Sequence, residues 1–419
     1  MTRILRVFIS VFLGGCLFLT VNCSHKTEHA ESEEREAPEI SDVTEEALLW
    51  ADSIFNKMSP EERVAQLLMP AVFTSTDIST MGLIKRYAEE WKVGGLLLLK
   101  GDAVSAAEIA DTLEAVRDRT PHAPGMFISI DAETGLGMRF SDAPVFPWLN
   151  DISHEADENA FYDYGCEIGR EARIAGINMI LGPVLDVDRP EQKEAVMRKR
   201  SLGSDQLRVA ELSVAYTRGL ESFGIACVAK HFPGHGSSSV DTHKNLATIN
   251  TSRDELYGID MLPFRKAIQN GLSCIMVGHI WAPALDSIKR PASFSPIVIK
   301  EILRNEMKFN GLVIVDALGM GGAKGFSSAD AIAAGADIIL APVNTEKEIS
   351  EISSALEDGR ISQERIKESC MRILFYKYLH STHSSHRTTP GLTPAYSIKE
   401  RLTKEAPHII SRLKGISQQ

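Results

Sequence analysis

An α/β chain closed into a single-domain (β/α)8 barrel is the fold this sequence predicts, and three observations carry the prediction. Eight short runs are apolar nearly throughout: AQLLMPAVF (65–73), VGGLLLLKG (93–101), GMFISID (125–131), INMILGPVLD (177–186), IACVAKHF (225–232), SCIMVGHI (273–280), LVIVDAL (312–318) and ADIILAP (336–342). Such unbroken runs suit strands buried on both faces of a parallel sheet. Helix-like stretches lie between them. Asp131, Asp186, His231, His279 and Asp316 stand near the C-terminal ends of five different runs. In a closed barrel those ends converge on one face, where the active sites of this fold lie. A doubly wound open sheet also fits the alternation, but would string the same residues along an edge. Convergence favours the barrel.

The helical stretches show apolar spacings of three and four, as in 157–176, 205–224 and 295–309. Several stop at a glycine just ahead of the next run: Gly176, Gly224, Gly271, Gly311 and Gly335. Glycine is a common helix C-terminal stop because it enters the left-handed region without steric cost. After residue 342 the pattern reads as two closing helices, and 381–419 as a polar tail. The organisation expected is therefore 1–23 export signal, 24–45 acidic tether, 46–380 barrel and 381–419 tail.

The chain has 419 residues, 44% hydrophobic, with a net charge of −11. No basic run offers a phosphate-binding face, so a nucleic-acid partner is not expected. MTRILR followed by VFISVFLGGCLFLTVN gives a positive start and an apolar stretch, which reads as an export signal. LGGC at Cys16 resembles the bacterial lipobox. Cys23 marks the switch to polar composition, and cleavage before Cys16 would leave LFLTVN exposed, so Cys23 is favoured as the lipidated residue over Cys16. The expectation is an exported cell-envelope protein, tethered to a bacterial membrane by an N-terminal lipid. Cys166, Cys227, Cys274 and Cys370 lack CxxC spacing, and Cys227 and Cys274 lie inside apolar runs where cysteine behaves as a small hydrophobe.

The stretch ACVAKHFPGHGSSSVDTHKNL (226–246) concentrates the chemistry. Lys230 and His231 end an apolar run. A Pro-Gly-His-Gly turn and a serine run follow, and then Asp241 and His243 stand one residue apart. Polar side chains at a strand end, followed by a pliable loop, suggest a working site on a rigid scaffold.

KHFPGHG with D-x-H (230–243), together with GLVIVDALGM (311–320), resembles glycoside hydrolase family 3, and most of all its single-domain bacterial β-N-acetylglucosaminidases. SIDAETGLGMRF (129–140), NMILGPVLDVD (178–188), RKRSLGSD (198–205), IMVGHI (275–280) and PASFSP (291–296) extend the resemblance over about residues 50–375. It implies Asp316 as the nucleophile, with Val315 where the family usually has Ser or Thr and Ala317 where a second Asp is frequent. It implies His243 as acid/base and Asp241 as its partner, and Asp131, Arg139, Arg200, Lys230 and His231 as sugar-binding residues. Arg198 competes with Arg200 for one assignment. His235 and Asp186 are expected as supports more than ligands. The common E-G-G-R is E-T-G-L here (133–136).

Retaining glycoside hydrolysis needs a carboxylate nucleophile and an acid on the leaving-group side. Histidine titrates near neutrality and can serve as that acid, with a neighbouring carboxylate to orient it. The expectation is a retaining exo-β-N-acetylglucosaminidase acting on a carbohydrate, without cofactor or metal. A β-glucosidase of the same family is an alternative. A metal-dependent hydrolase using His231, His235, His243 and Asp241 is another, as is a non-catalytic glycan-binding lipoprotein.

Overall fold

The computed structural model describes residues 40–189, 195–236, 246–382, 398, 402–403 and 406–414. All eight apolar runs contribute strand. The barrel strands are β1 (Leu68–Met69 and Ala71–Thr74), β2 (Gly95–Gly101), β3 (Phe127–Ile130), β4 (Met179–Ile180), β5 (Ala226–Phe232), β6 (Cys274–Val277), β7 (Leu312–Val315) and β8 (Ile338–Leu340). Every neighbouring pair is parallel.

Pro70 splits β1 because it has no N–H to give the ladder. The first half pairs with β8 (Leu68↔Ile339) and the second with β2 (Ala71↔Leu97). The two halves thus close the sheet into a ring, and the open-sheet alternative falls. β4 is short for a similar reason: Pro183 has no N–H to give, although the Gly182 and Pro183 carbonyls accept from the Val228 and Lys230 amides of β5 (3.0 and 3.1 Å) and the Leu185 amide donates to the Lys230 carbonyl at 2.7 Å.

The interior has the expected character. Ile128, Ile130, Met179, Val228, Ile275, Val313 and Ile339 are all buried, as are Cys227 and Cys274 within their strands. At roughly 25 cal/mol per Å² of apolar surface, such side chains contribute most of the stabilisation. Four of the predicted glycine stops adopt positive φ: Gly176 (74°), Gly224 (68°), Gly271 (89°) and Gly335 (120°). Gly311 is required for space instead, since a Cβ there would stand 2.3 Å from the Ser273 carbonyl oxygen.

The predicted helix over 295–309 forms at Ile297–Glu306 with wider i→i+5 winding. Val298, Ile299, Ile302 and Leu303 are buried in that winding, and their spacing does not distinguish it from an α-helix. The two closing helices are Thr345–Glu357 and Gln363–Lys377. Part of the C-terminal tail is packed: helix Ala406–Leu413 lies against helix Glu158–Ile174, with Leu402 and Leu413 fully buried. Arg170 donates to the Leu402 carbonyl at 3.2 Å, and Arg412 pairs with Asp163. Among the described residues no helix is long and apolar enough to cross a membrane.

Candidate active site

The lumen-facing side of the strands can be read from one contact. Ser129 Oγ on β3 donates to Met69 Sδ on β1 at 3.1 Å. Side chains two strands apart meet only inside the barrel, where residues of alternate strands share a layer. Asp131, two residues beyond Ser129, therefore rises on the same face at the C-terminal mouth. β5 is buried along its whole length and delivers Lys230 and His231 to that end. The Lys230–His231 and Phe232–Pro233 peptide bonds are both cis.

A chain of opposite charges fills the floor of the mouth. Arg139 pairs with one oxygen of Asp131 at 2.5 Å, and Lys230 Nζ reaches the other at 2.9 Å. Lys230 also reaches Glu133 at 2.7 Å. Arg200 grips Glu133 through Nε at 2.8 Å and Nη2 at 2.9 Å. Its Nη2 then lies 3.3 Å from His231 Nε2. Asp186 meets His231 Nδ1 at 2.7 Å and accepts from the amides of His231 (3.2 Å) and His235 (2.7 Å). Such a bond to one ring nitrogen fixes the orientation of the other.

Burial alone would neutralise these groups, but their mutual attraction wins. For Glu133, burial raises the pKa and Arg200 and Lys230 pull it well below the ordinary value. For Asp131, burial raises it and Lys230 and Arg139 more than compensate. Asp186 is brought down to about 2 against its burial, chiefly by His231. Burial would discharge Lys230, yet Asp131 and Glu133 hold its pKa above the usual lysine value. Buried His235 goes the other way, to about 4, because desolvation outweighs Asp186.

Asp316 follows β7 and is half-buried. The Ala317 amide donates to its Oδ1 at 2.8 Å. Burial raises its pKa, but the His231 and His279 rings, that amide and Lys230 outweigh it, leaving the carboxylate below its ordinary value. His279 is fully buried beneath the same loop. Its Nδ1 is 2.7 Å from Ser293 Oγ and its Nε2 3.2 Å from the Ala317 carbonyl. It thereby ties the loops after β6 and β7 together.

Of the residues expected from sequence, Asp131, Arg139, Arg200, Lys230, His231 and Asp316 come together at this mouth. Asp186 and His235 are buried behind His231, Asp186 as a direct support. Arg200, only 14% exposed at its side chain, joins the cluster, whereas Arg198 is 49% exposed and points to Asp188 at 3.6 Å. Asp241 and His243 lie outside the described residues, as do Cys16 and Cys23. Among the described residues no group of three or more His, Cys, Asp or Glu side chains is placed to hold a metal ion.

Glu133 was missed, although it is the hub between Lys230 and Arg200. Two signals pointed to it: it lies two residues past Asp131, and three cations converging on a floor that includes Lys230 demand buried counter-charge. The departure at E-T-G-L removes the family's arginine from this loop but leaves the glutamate in place.

The description "Glycosyl hydrolase family 3 N terminal domain" fits residues 59–375. The chain is 30% identical over 353 residues to the beta-N-acetylglucosaminidase/beta-glucosidase of Cellulomonas fimi, covering 80% of this chain and 60% of that protein. It is 28% identical over 336 residues to beta-hexosaminidase A of Pseudoalteromonas piscicida, covering 72% of this chain and 55% of that one. The chain thus spans little more than half the length of these two relatives. The solved structure of a glycoside hydrolase family 3 beta-N-acetylglucosaminidase from Paenibacillus sp. str. FPU-7 superposes with a TM-score of 0.72 at 28% identity, covering 85% of this chain and 68% of that one. The barrel, its charged mouth and these matches identify the chain as a member of glycoside hydrolase family 3.

Proposed function

We propose that this protein is a retaining exo-β-N-acetylglucosaminidase that removes terminal GlcNAc from glycans or peptidoglycan fragments. The observation that carries the reading is the half-buried, ionised Asp316 beside the Asp131–Lys230–Glu133–Arg200 network at the barrel mouth. Asp316 attacks the anomeric carbon as the bond to the leaving-group oxygen breaks, and His243 gives that oxygen its proton. Water then attacks the glycosyl–Asp316 ester, giving its proton to His243 and releasing Asp316. Two inversions leave the anomeric configuration unchanged. Asp131 accepts hydrogen bonds from sugar hydroxyls, while Arg139, Arg200, Lys230 and His231 hold the sugar's oxygens. Asp241 orients the His243 ring and stabilises its charged form. The chemistry asks nothing of a cofactor.

Support for the sugar comes from the relatives' names, two of which carry β-N-acetylglucosaminidase. The Cellulomonas fimi name also carries β-glucosidase, so a β-glucosidase is the second reading. The test is turnover of paired aryl β-GlcNAc and β-glucoside substrates, with and without phosphate, with the first-formed product followed by NMR. GlcNAc released as the β-anomer, independent of phosphate, is expected. Faster cleavage of the glucoside selects the second reading, and an α-anomeric first product rejects retention.

We also propose an exported, membrane-tethered location through a lipid on Cys23, with Cys16 as the alternative. Mass spectrometry of the mature N-terminus tests it, and a terminus without acyl chains rejects it.

A further inference from the structure

Phe73 is a large aromatic residue with 64% of its surface exposed, at the end of a barrel strand. Its direction follows from register. Ala71 pairs with Leu97, and Leu97 with Ser129, so all three share one face of the sheet. Ser129 faces the lumen, as its bond to Met69 shows. Phe73 stands two residues beyond Ala71, as Asp131 stands two beyond Ser129. The register shift between β1 and β2 sets Val72↔Leu98 against Thr74↔Gly101, so the extra residue lies on β2 and the periodicity of β1 is intact. Phe73 therefore projects from the same face as Asp131, into the mouth.

Its distance from the charged floor is also set. Gly101 pairs with Thr74 on one side and bridges Phe140 on the other. The Gly101 amide donates to the Arg139 carbonyl at 3.2 Å. Two strand spacings, about 10 Å, thus separate the Phe73 and Arg139 backbones, roughly the span of two linked pyranoses. Two further apolar side chains are exposed on the segments that follow these strands: Ile78, the first residue of the helix after β1, at 94%, and Val343, after neighbouring β8, at 77%.

We propose that Phe73 is a specificity-determining residue, the platform on which the leaving-group ring of the substrate rests. The inference builds on the glycosidase reading above and adds the leaving-group side to it. The terminal sugar is held by charge on the floor, and its leaving group must point outward past the rim. An aromatic face there matches the C–H face of an uncharged pyranose or a flat aryl ring, and offers nothing to a short alkyl group. It selects an uncharged ring in the leaving-group position.

The experiment compares wild-type, Phe73→Ala and Phe73→Trp proteins on a β-1,4-linked disaccharide and on the methyl β-glycoside of the same sugar, using whichever sugar the wild type cleaves. Folding of each variant is checked by thermal unfolding. Phe73→Ala should lower kcat/KM on the disaccharide by roughly five- to tenfold, mostly through KM, with less than a twofold change on the methyl glycoside. Phe73→Trp should restore the disaccharide value. Equal losses on both substrates, or no loss on the disaccharide, overturn the platform while leaving the glycosidase reading intact. Failure of the wild type on both sugars overturns both.

Discussion

Asp337, just below β8, and Asp316, just above β7, are carboxylates on neighbouring strands at opposite ends of the barrel. Asp337 is fully buried and accepts from Arg304 (2.6 Å), Arg365 (2.6 Å), Ser369 (2.7 Å), Arg372 (3.2 Å) and the Val313 amide (3.0 Å). Asp316 is half-buried and accepts one hydrogen bond among the described residues, from Ala317. Both ionise more readily than an ordinary aspartate despite burial. Ionisation therefore does not distinguish a working site from a structural one. What differs is how much of the carboxylate's hydrogen-bonding capacity the protein itself uses. The lower end spends it all on tying helices to the sheet, while the upper end keeps some for a ligand.

The sharpest test of that contrast is Asp316→Ala. Turnover should fall on the order of a thousandfold or more, with the melting temperature shifted by no more than about 2 °C. A variant that turns over like the wild type removes Asp316 from the chemistry. Asp337→Ala should do the reverse. Three arginines lose their shared counter-charge, and unfolding free energy in urea should drop by about 3–5 kcal/mol. The folded fraction should keep its kcat, and a large kcat loss there would blur the two ends. Glu133→Gln tests the residue between these types: a stability loss of about 2 kcal/mol together with a raised KM is expected, because Lys230 and Arg200 are both held by it. A change in stability alone would move Glu133 to the structural class.

The pH dependence sorts the buried carboxylates by the sign of their shift. Asp186, Asp131 and Glu133 have lowered pKa values in the fold. Their contribution is complete above the unfolded carboxylate values of about 4 and is lost as pH falls, for Asp186 toward about 2. Asp260 behaves oppositely. It is fully buried with neither carboxylate oxygen hydrogen-bonded among the described residues. Burial pushes it up to about 7, although Arg189 draws it down. The folded state then holds a proton that the unfolded state has lost, so stability declines from about pH 4 to pH 7. Asp260→Asn should raise the melting temperature at pH 8 and leave it unchanged at pH 4. An equal gain at both values would show that ionisation is not the cause.

The barrel was legible because burial on both faces of a parallel strand demands an unbroken apolar run, which the eight segments display. Lys230, His231, Asp131 and Asp316 were legible as polar residues closing such runs. Glu133 carried a weaker signal, its place two residues past Asp131, since it lies beyond the strand and its importance arises where β3 and β5 converge with Arg200. The choice between Arg198 and Arg200 was likewise spatial: two arginines separated by one residue point one to solvent and one inward. Phe73 sat inside an apolar run and read as core, because periodicity cannot say where a strand emerges from the barrel.

The split of β1 at Pro70 makes a seam in the ring. Below it, Leu68 and Met69 wait for β8, which is synthesised some 270 residues later; above it, Ala71–Thr74 pair with the nearby β2. Loop-closure entropy makes the distant pairing the late one in folding. Helix Gln363–Lys377 then pins it, as Arg365 and Ser369 donate to Asp337 just below β8 (2.6 and 2.7 Å) and Lys377 donates to Gln66 just before β1 at 2.6 Å. A chain shortened to end before Gln363 would keep every strand yet lose that clasp, and its barrel would open along the β1–β8 edge.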